Sequence, residues 1–182
     1  MPACAASGVT KEPRCGIRKF QTLPGAPNVL RGAQPKDGAA WNFLRSQNIR
    51  HVVKLNERRK EKGQPPDETD EGATAAGMSV TRVTFNFGDR WIWTQPEKLD
   101  AAVAAIKPGT FVHCQRGMDR TGLVVAAYRV RVLGESKRTV EREMVASGFR
   151  PMPGLLWAWL FQVREQPVRN ETSRGQPGFP GQ

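Results

Sequence analysis

The stretch from Gly109 to Leu133 constrains the fold of this 182-residue chain more than any other. Its first residues, Gly109-Thr110-Phe111-Val112, read as a buried strand, and Thr121 to Leu133 is a long, mostly apolar helix pattern. The residues between them, His113-Cys114-Gln115-Arg116-Gly117-Met118-Asp119-Arg120, form a short loop that carries a strand's end into a helix's start. Strands and helices alternate along the rest of the chain. Strands are expected over Val29 to Arg31, Ile49 to Leu55, Ser79 to Phe87 and Thr110 to His113. Helices are expected over Lys36 to Gln47, part of Asp67 to Gly77, Pro96 to Ile106, Thr121 to Leu133, Lys137 to Ala146 and Leu155 to Arg164. This order predicts a single α/β domain with a mainly parallel sheet of about four to five strands and helices on both faces. The loop then lies at the carboxyl end of a strand, where such folds bind ligands.

The loop's chemistry follows from its position. A helix N-terminus presents unpaired N–H groups and the positive end of the macrodipole, so an anion is stabilised there by geometry the fold already supplies. Five residues separate Cys114 from Arg120, enough for the amides and the guanidinium fork to converge on one tetrahedral dianion. The same field favours the thiolate form of Cys114, as it does for other thiols at helix N-termini beside cations. Sulfur then faces phosphorus for in-line attack. A cysteine packed merely as a small hydrophobe would leave the neighbouring His113, Gly117, Arg120 and Thr121 unexplained.

These residues resemble the Cys-based protein tyrosine and dual-specificity phosphatases, whose signature is His-Cys-x5-Arg-Ser/Thr with Gly frequent where Gly117 stands. His113, Cys114, Gly117, Arg120, Thr121 and Gly122 match it. Asn28-Val29-Leu30-Arg31-Gly32-Ala33-Gln34-Pro35 is similar to the first strand and turn of small bacterial-type members. Tyr128 to Ser136 followed by Val140 to Met144 is similar to the helix-turn-helix after the signature, so the likeness spans Pro27 to about Gln166. It implies a two-step reaction in which Cys114 takes the phosphoryl group, an Asp protonates the leaving oxygen and water hydrolyses the cysteinyl-phosphate. Thr121 matches the hydroxyl that helps sulfur depart. His113 matches the residue that holds the Cys loop and is not a base. Gln115, Arg116, Gly117, Met118, Asp119 and Arg120 would bind the phosphate.

In that family the general acid lies on a loop upstream of the nucleophile. Val83, Phe85 and Phe87 alternate with polar residues up to Gly88, so Asp89 fits the place, with Trp91 as an aromatic wall of the substrate site. The Trp-Pro-Asp form of the larger tyrosine phosphatases is absent, and the lesser alternative for Asp89 is a loop cap. Glu97 and Asp100 are rivals, although they fall on a helix pattern whose first turn favours acids. Asp119 would repel phosphate unless it points outward, and it reads as a helix-start acid or as a salt-bridge partner that shapes the loop.

Residues 1–26 and 169–182 read as flexible tails around a catalytic domain at 27–168, and Glu57 to Glu71 as a surface loop or a substrate-selecting flap. The apolar run Leu155 to Phe161 predicts a core helix, with a dimer or membrane-surface contact as the alternative; it is too short to span a bilayer. No signal peptide pattern is seen, and three cysteines suit a reducing cytoplasm. Cys4 and Cys15 have no evident role beyond a conceivable reversible bridge to oxidised Cys114. With only His51 and His113, no metal and no cofactor are expected. The net charge of +11 attracts anions. Substrate candidates are therefore phosphoproteins, phosphoinositides, inositol phosphates and RNA 5′-triphosphate, and a phosphate-binding adaptor without turnover is the reading from another class.

Overall fold

A computed structural model describes residues 16–56, 68–85, 96–150, 155–156 and 158–164. Five strands, β1 (Gln21–Leu23), β2 (Ala26–Ala33), β3 (His51–Lys54), β4 (Ser79–Arg82) and β5 (Thr110–Cys114), form one sheet in the order β1-β2-β5-β3-β4. Only β1 runs antiparallel; β5 is parallel to β2 on one side and to β3 on the other. Among the described residues the α-helices are α1 (Gly38–Ser46), α2 (Glu68–Ala75), α3 (Pro96–Ala104), α4 (Asp119–Arg131) and α5 (Lys137–Ala146). The single α/β domain with a mostly parallel sheet is thus as the sequence predicts.

Both faces of the sheet are covered because the strands alternate two apolar sets. Leu30, Val52 and Phe111 face a core with Trp41 and Leu44 of α1 and Ala73 of α2. Their neighbours Val29, Val53 and Val112 face the larger core, with Leu99 of α3, Leu123 and Ala127 of α4 and Val140 of α5. A strand buried on both faces sends each successive side chain to the opposite layer. All five residues of β5 are buried, so the strand that ends in Cys114 is the rigid centre of the sheet.

Two expectations need correction. The segment 16–26, expected in a flexible tail, is folded: Ile17, Phe20 and Leu23 are buried, the Ala33 N–H donates to the Arg18 carbonyl at 2.8 Å, and β1 pairs with β2. These apolar residues are too few and too widely spaced to show a period, yet each finds a gap in the sheet's edge. Residues 1–15 and 165–182 lie outside the described residues. The second correction concerns the C-terminal helix, which gives way to a π-helical segment, Ala158–Gln162. Lys137 Nζ donates to the carbonyls of Trp159 and Val163 at 2.8 and 2.7 Å, and Arg131 Nη2 to that of Gln162 at 2.7 Å. Side-chain cations therefore satisfy carbonyls of this segment, and the Val163 N–H donates to the Ala158 carbonyl five residues back at 3.2 Å. Trp159 is buried as expected, whereas Leu160 and Phe161 are half exposed.

Candidate active site

The loop between β5 and α4 brings Cys114, Gly117, Arg120 and Thr121 together. Cys114 is the last residue of β5 and is buried. Its sulfur accepts the Gly117 N–H at 3.3 Å, so the loop curls back over the strand end as the spacing requires. That curl needs glycine. Gly117 has φ +70°, and a Cβ on it would stand 2.5 Å from the Ala33 nitrogen and from the Gly32 carbonyl carbon. Few residues other than glycine adopt this backbone conformation without strain, and here backbone also approaches backbone. Gln115 and Arg116, at the crest of the loop, are exposed.

Helix α4 begins at Asp119, two residues earlier than its apolar pattern indicates. Its N-cap, Met118, makes no side-chain capping bond, so its own side chain does not compete with an anion for the first amides of the helix. Arg120 is buried beside them. Burial lowers its pKa, and the charges of Cys114 and Asp119 oppose that shift. Thr121 is fully buried, and its hydroxyl has no hydrogen-bond partner among the described residues. It can therefore turn toward a group in the loop. Asp119 points away from the cradle, accepting the Arg150 N–H through Oδ1 at 2.8 Å. This outward role is the one that keeps a carboxylate from repelling phosphate.

His113 is buried, stacked on Phe111 at 5.5 Å between ring centroids and edge-on to Trp41 at 6.2 Å. Its carbonyl accepts the Leu55 N–H at 2.9 Å, which ties the nucleophile's strand to β3. Asp89 and Trp91 lie outside the described residues. Of the rival acids, Asp100 is paired with Arg131 Nη1 at 2.6 Å, at the far end of α4, about 18 Å of helix from the loop.

Sequence reasoning assigned no role to Arg31. It sits within β2 and is buried, and its Nη2 donates to the Gly117 carbonyl at 2.8 Å. A charged residue inside the otherwise buried stretch Val29-Leu30-Arg31-Gly32-Ala33 was the available signal, because a buried cation requires a specific partner. Nothing in the pattern said which.

A family model described as a DSP-PTPase phosphatase fused to NAD+ kinase matches residues 18–153, a span that holds the entire loop and both flanking layers. The chain belongs to this family. It is a phosphatase of the dual-specificity and tyrosine phosphatase type. Solved structures share the fold at low identity. The core catalytic domain of the PP-IP phosphatase SIW14 from S. cerevisiae is 15% identical, with a TM-score of 0.59 over 78% of this chain and 83% of that one. A putative phosphatase (DUF442) from Shewanella putrefaciens CN-32 is 20% identical, with a TM-score of 0.61 over 81% and 92%. TpbA from P. aeruginosa is 22% identical, with a TM-score of 0.58 over 88% and 89%. The family match begins at residue 18, in agreement with the folded segment before β1.

Proposed function

We propose that this phosphatase is a cytoplasmic phosphomonoesterase that hydrolyses phosphotyrosine, and the phosphoserine and phosphothreonine of proteins, through a cysteinyl-phosphate on Cys114. The observation that supports it most is the Gly117 N–H on the Cys114 sulfur at 3.3 Å, at the foot of a helix whose N-cap, Met118, makes no side-chain capping bond. Donors that converge on sulfur in the resting loop stabilise a thiolate. Donors of the same set would hold the phosphoryl oxygens in the transition state. Sγ attacks phosphorus as the ester P–O bond breaks; Asp89 gives its proton to the leaving oxygen; water then attacks phosphorus and the S–P bond breaks, with the Thr121 hydroxyl assisting the departing sulfur. Arg120 is the bidentate partner of the dianion. His113 fixes the strand end and moves no proton.

Gln115 and Arg116, exposed on the crest, meet whatever part of the substrate lies beyond the phosphate. That position, in a chain of net charge +11, supports a second reading in which inositol phosphates, phosphoinositides or RNA 5′-triphosphate are the substrates. SIW14 is itself described as a PP-IP phosphatase. Phosphate release from a small aryl phosphate between pH 5 and 8 tests the mechanism. Cys114→Ser should abolish turnover, and Asp89→Asn should remove the basic limb of the pH–rate profile. Turnover that survives Cys114→Ser rejects the thiolate. Phosphate binding without release in the wild type would favour an adaptor.

A further inference from the structure

We propose that Arg31, on the strand beside the loop, is a positioning residue of this site: it holds Gly117 by its carbonyl so that the N–H of the same residue stays on the Cys114 sulfur, and with Arg120 it is one of two buried cations at this loop. The proposal rests on the thiolate reading of Cys114 given above. It begins with a chain of contacts that runs through one residue, Gly117, whose N–H and carbonyl belong to the two peptide groups on either side of its Cα. The Arg31 guanidinium grips the carbonyl of Gly117 at 2.8 Å, and the N–H of the same residue donates to Cys114 Sγ at 3.3 Å. Gly117 cannot drift toward β2, because Gly32 and Ala33 backbone atoms already fill the space where a Cβ would be. Packing thus limits the loop from one side and Arg31 tethers it from another.

Charge supplies the second, independent argument. A buried guanidinium normally sits against a carboxylate. Among the described residues, no carboxylate pairs with Arg31, and its Nε has no hydrogen-bond partner. The nearby cation of α4, Arg129, is fully engaged instead, with Glu135 at 2.8 Å and with Glu143 of α5 at 2.7 Å. Asp119 faces Arg150. Burial lowers the pKa of Arg31 to about 10, the charge of Cys114 works to raise it, and Arg129 adds to the lowering. A cation held in such a place favours the charged form of an acid beside it. Arg120 is buried on the helix side of the loop. Arg31 acts from the sheet, on the residue whose N–H touches sulfur.

Arg31→Gln removes the charge and, two bonds shorter, withdraws the donor from the Gly117 carbonyl, whereas Arg31→Lys keeps the charge on a different geometry. The readout is the rate of Cys114 alkylation by iodoacetamide from pH 5 to 8, beside kcat and KM for the aryl phosphate. Arg31→Gln should be alkylated on the order of tenfold more slowly at pH 6, the effect of losing one nearby opposite charge. Its kcat should fall with little change in KM, and Arg31→Lys should recover most of the alkylation rate. Wild-type alkylation rates in Arg31→Gln at every pH would overturn the proposal. Should that variant fail to fold, the wild type decides: the Arg31 Nε resonance should shift over the pH range in which alkylation of Cys114 switches on, and stand still in Cys114→Ser. An immobile resonance in the wild type would overturn it as well. Alkylation needs no turnover, so failure of the phosphatase reading and failure of this one are separable.

Discussion

Replacing Gly117 with Ala would test whether the loop's shape is imposed by β2 or merely tolerated by it. Two costs add. A side chain at φ +70° strains the backbone by about 1–2 kcal/mol. The new Cβ would also stand 2.5 Å from the Ala33 nitrogen and 2.7 Å from the Gly32 carbonyl oxygen. These are backbone atoms of a central strand and cannot swing aside, so overpacking adds about 1–3 kcal/mol. The sum, about 2–5 kcal/mol, corresponds to a fall in Tm of roughly 4–20 °C for a domain of this size. Gly134 supplies the internal control, since it has nearly the same φ, +71°, with nothing within 4 Å of its Cβ position. Gly134→Ala should lose only the conformational part, about 1–2 kcal/mol or roughly 2–8 °C. Thermal denaturation of both variants, with Cys114 alkylation rates, separates strain from clash. Gly117→Ala should also slow alkylation, because a displaced peptide takes its N–H off the sulfur, and Gly134→Ala should not. Equal Tm values for the two variants, or wild-type alkylation in Gly117→Ala, would refute the argument that the strand shapes the loop.

Two further outcomes follow from other contacts. His51 is buried with Nδ1 2.8 Å from Ser79 Oγ, and burial, then Lys107, lowers its pKa. Its neutral form is the one the fold favours, so its contribution is fully present above the unfolded value of about 6.5 and is lost as pH falls below that toward the lowered folded value. The Tm difference between pH 7.5 and 5.5 should therefore shrink in His51→Asn, and an unchanged difference would exclude His51 as the source. Asp119→Ala removes the acceptor for the Arg150 N–H and should cost about 1 kcal/mol, a few degrees of Tm, while Asp119→Asn, which keeps an oxygen there, should cost less; equal losses would mean that charge and not this hydrogen bond is at work.

The strand–loop–helix unit was legible because its information is local. A buried strand, five loop residues and an apolar helix are adjacent in sequence, so residue type and spacing alone place Cys114 and Arg120 at the two ends of one loop at a helix start. The helix and strand patterns were legible for the same reason, to within a few residues at their ends: α5 lies at Lys137–Ala146 as read, whereas β2 extends to Ala26–Ala33 beyond the three residues its apolar core suggests. The C-terminal segment was misjudged because its winding depends on Lys137 and Arg131, whose ammonium and guanidinium groups reach its carbonyls from other elements.

Sequence by itself determined which chemistry the loop can hold and that an α/β sheet must carry it, since both are set by short-range order. Tertiary structure alone decided the strand order β1-β2-β5-β3-β4, the docking of Ile17, Phe20 and Leu23 from what reads as a tail, and the outward turn of Asp119 toward Arg150. It also decided the pairing of Arg31 with a carbonyl 86 residues away in sequence. These are long-range matters of which surface needs covering and which buried polar group needs a partner. A periodic pattern records that a residue will be buried, and only the packed chain settles what it is buried against.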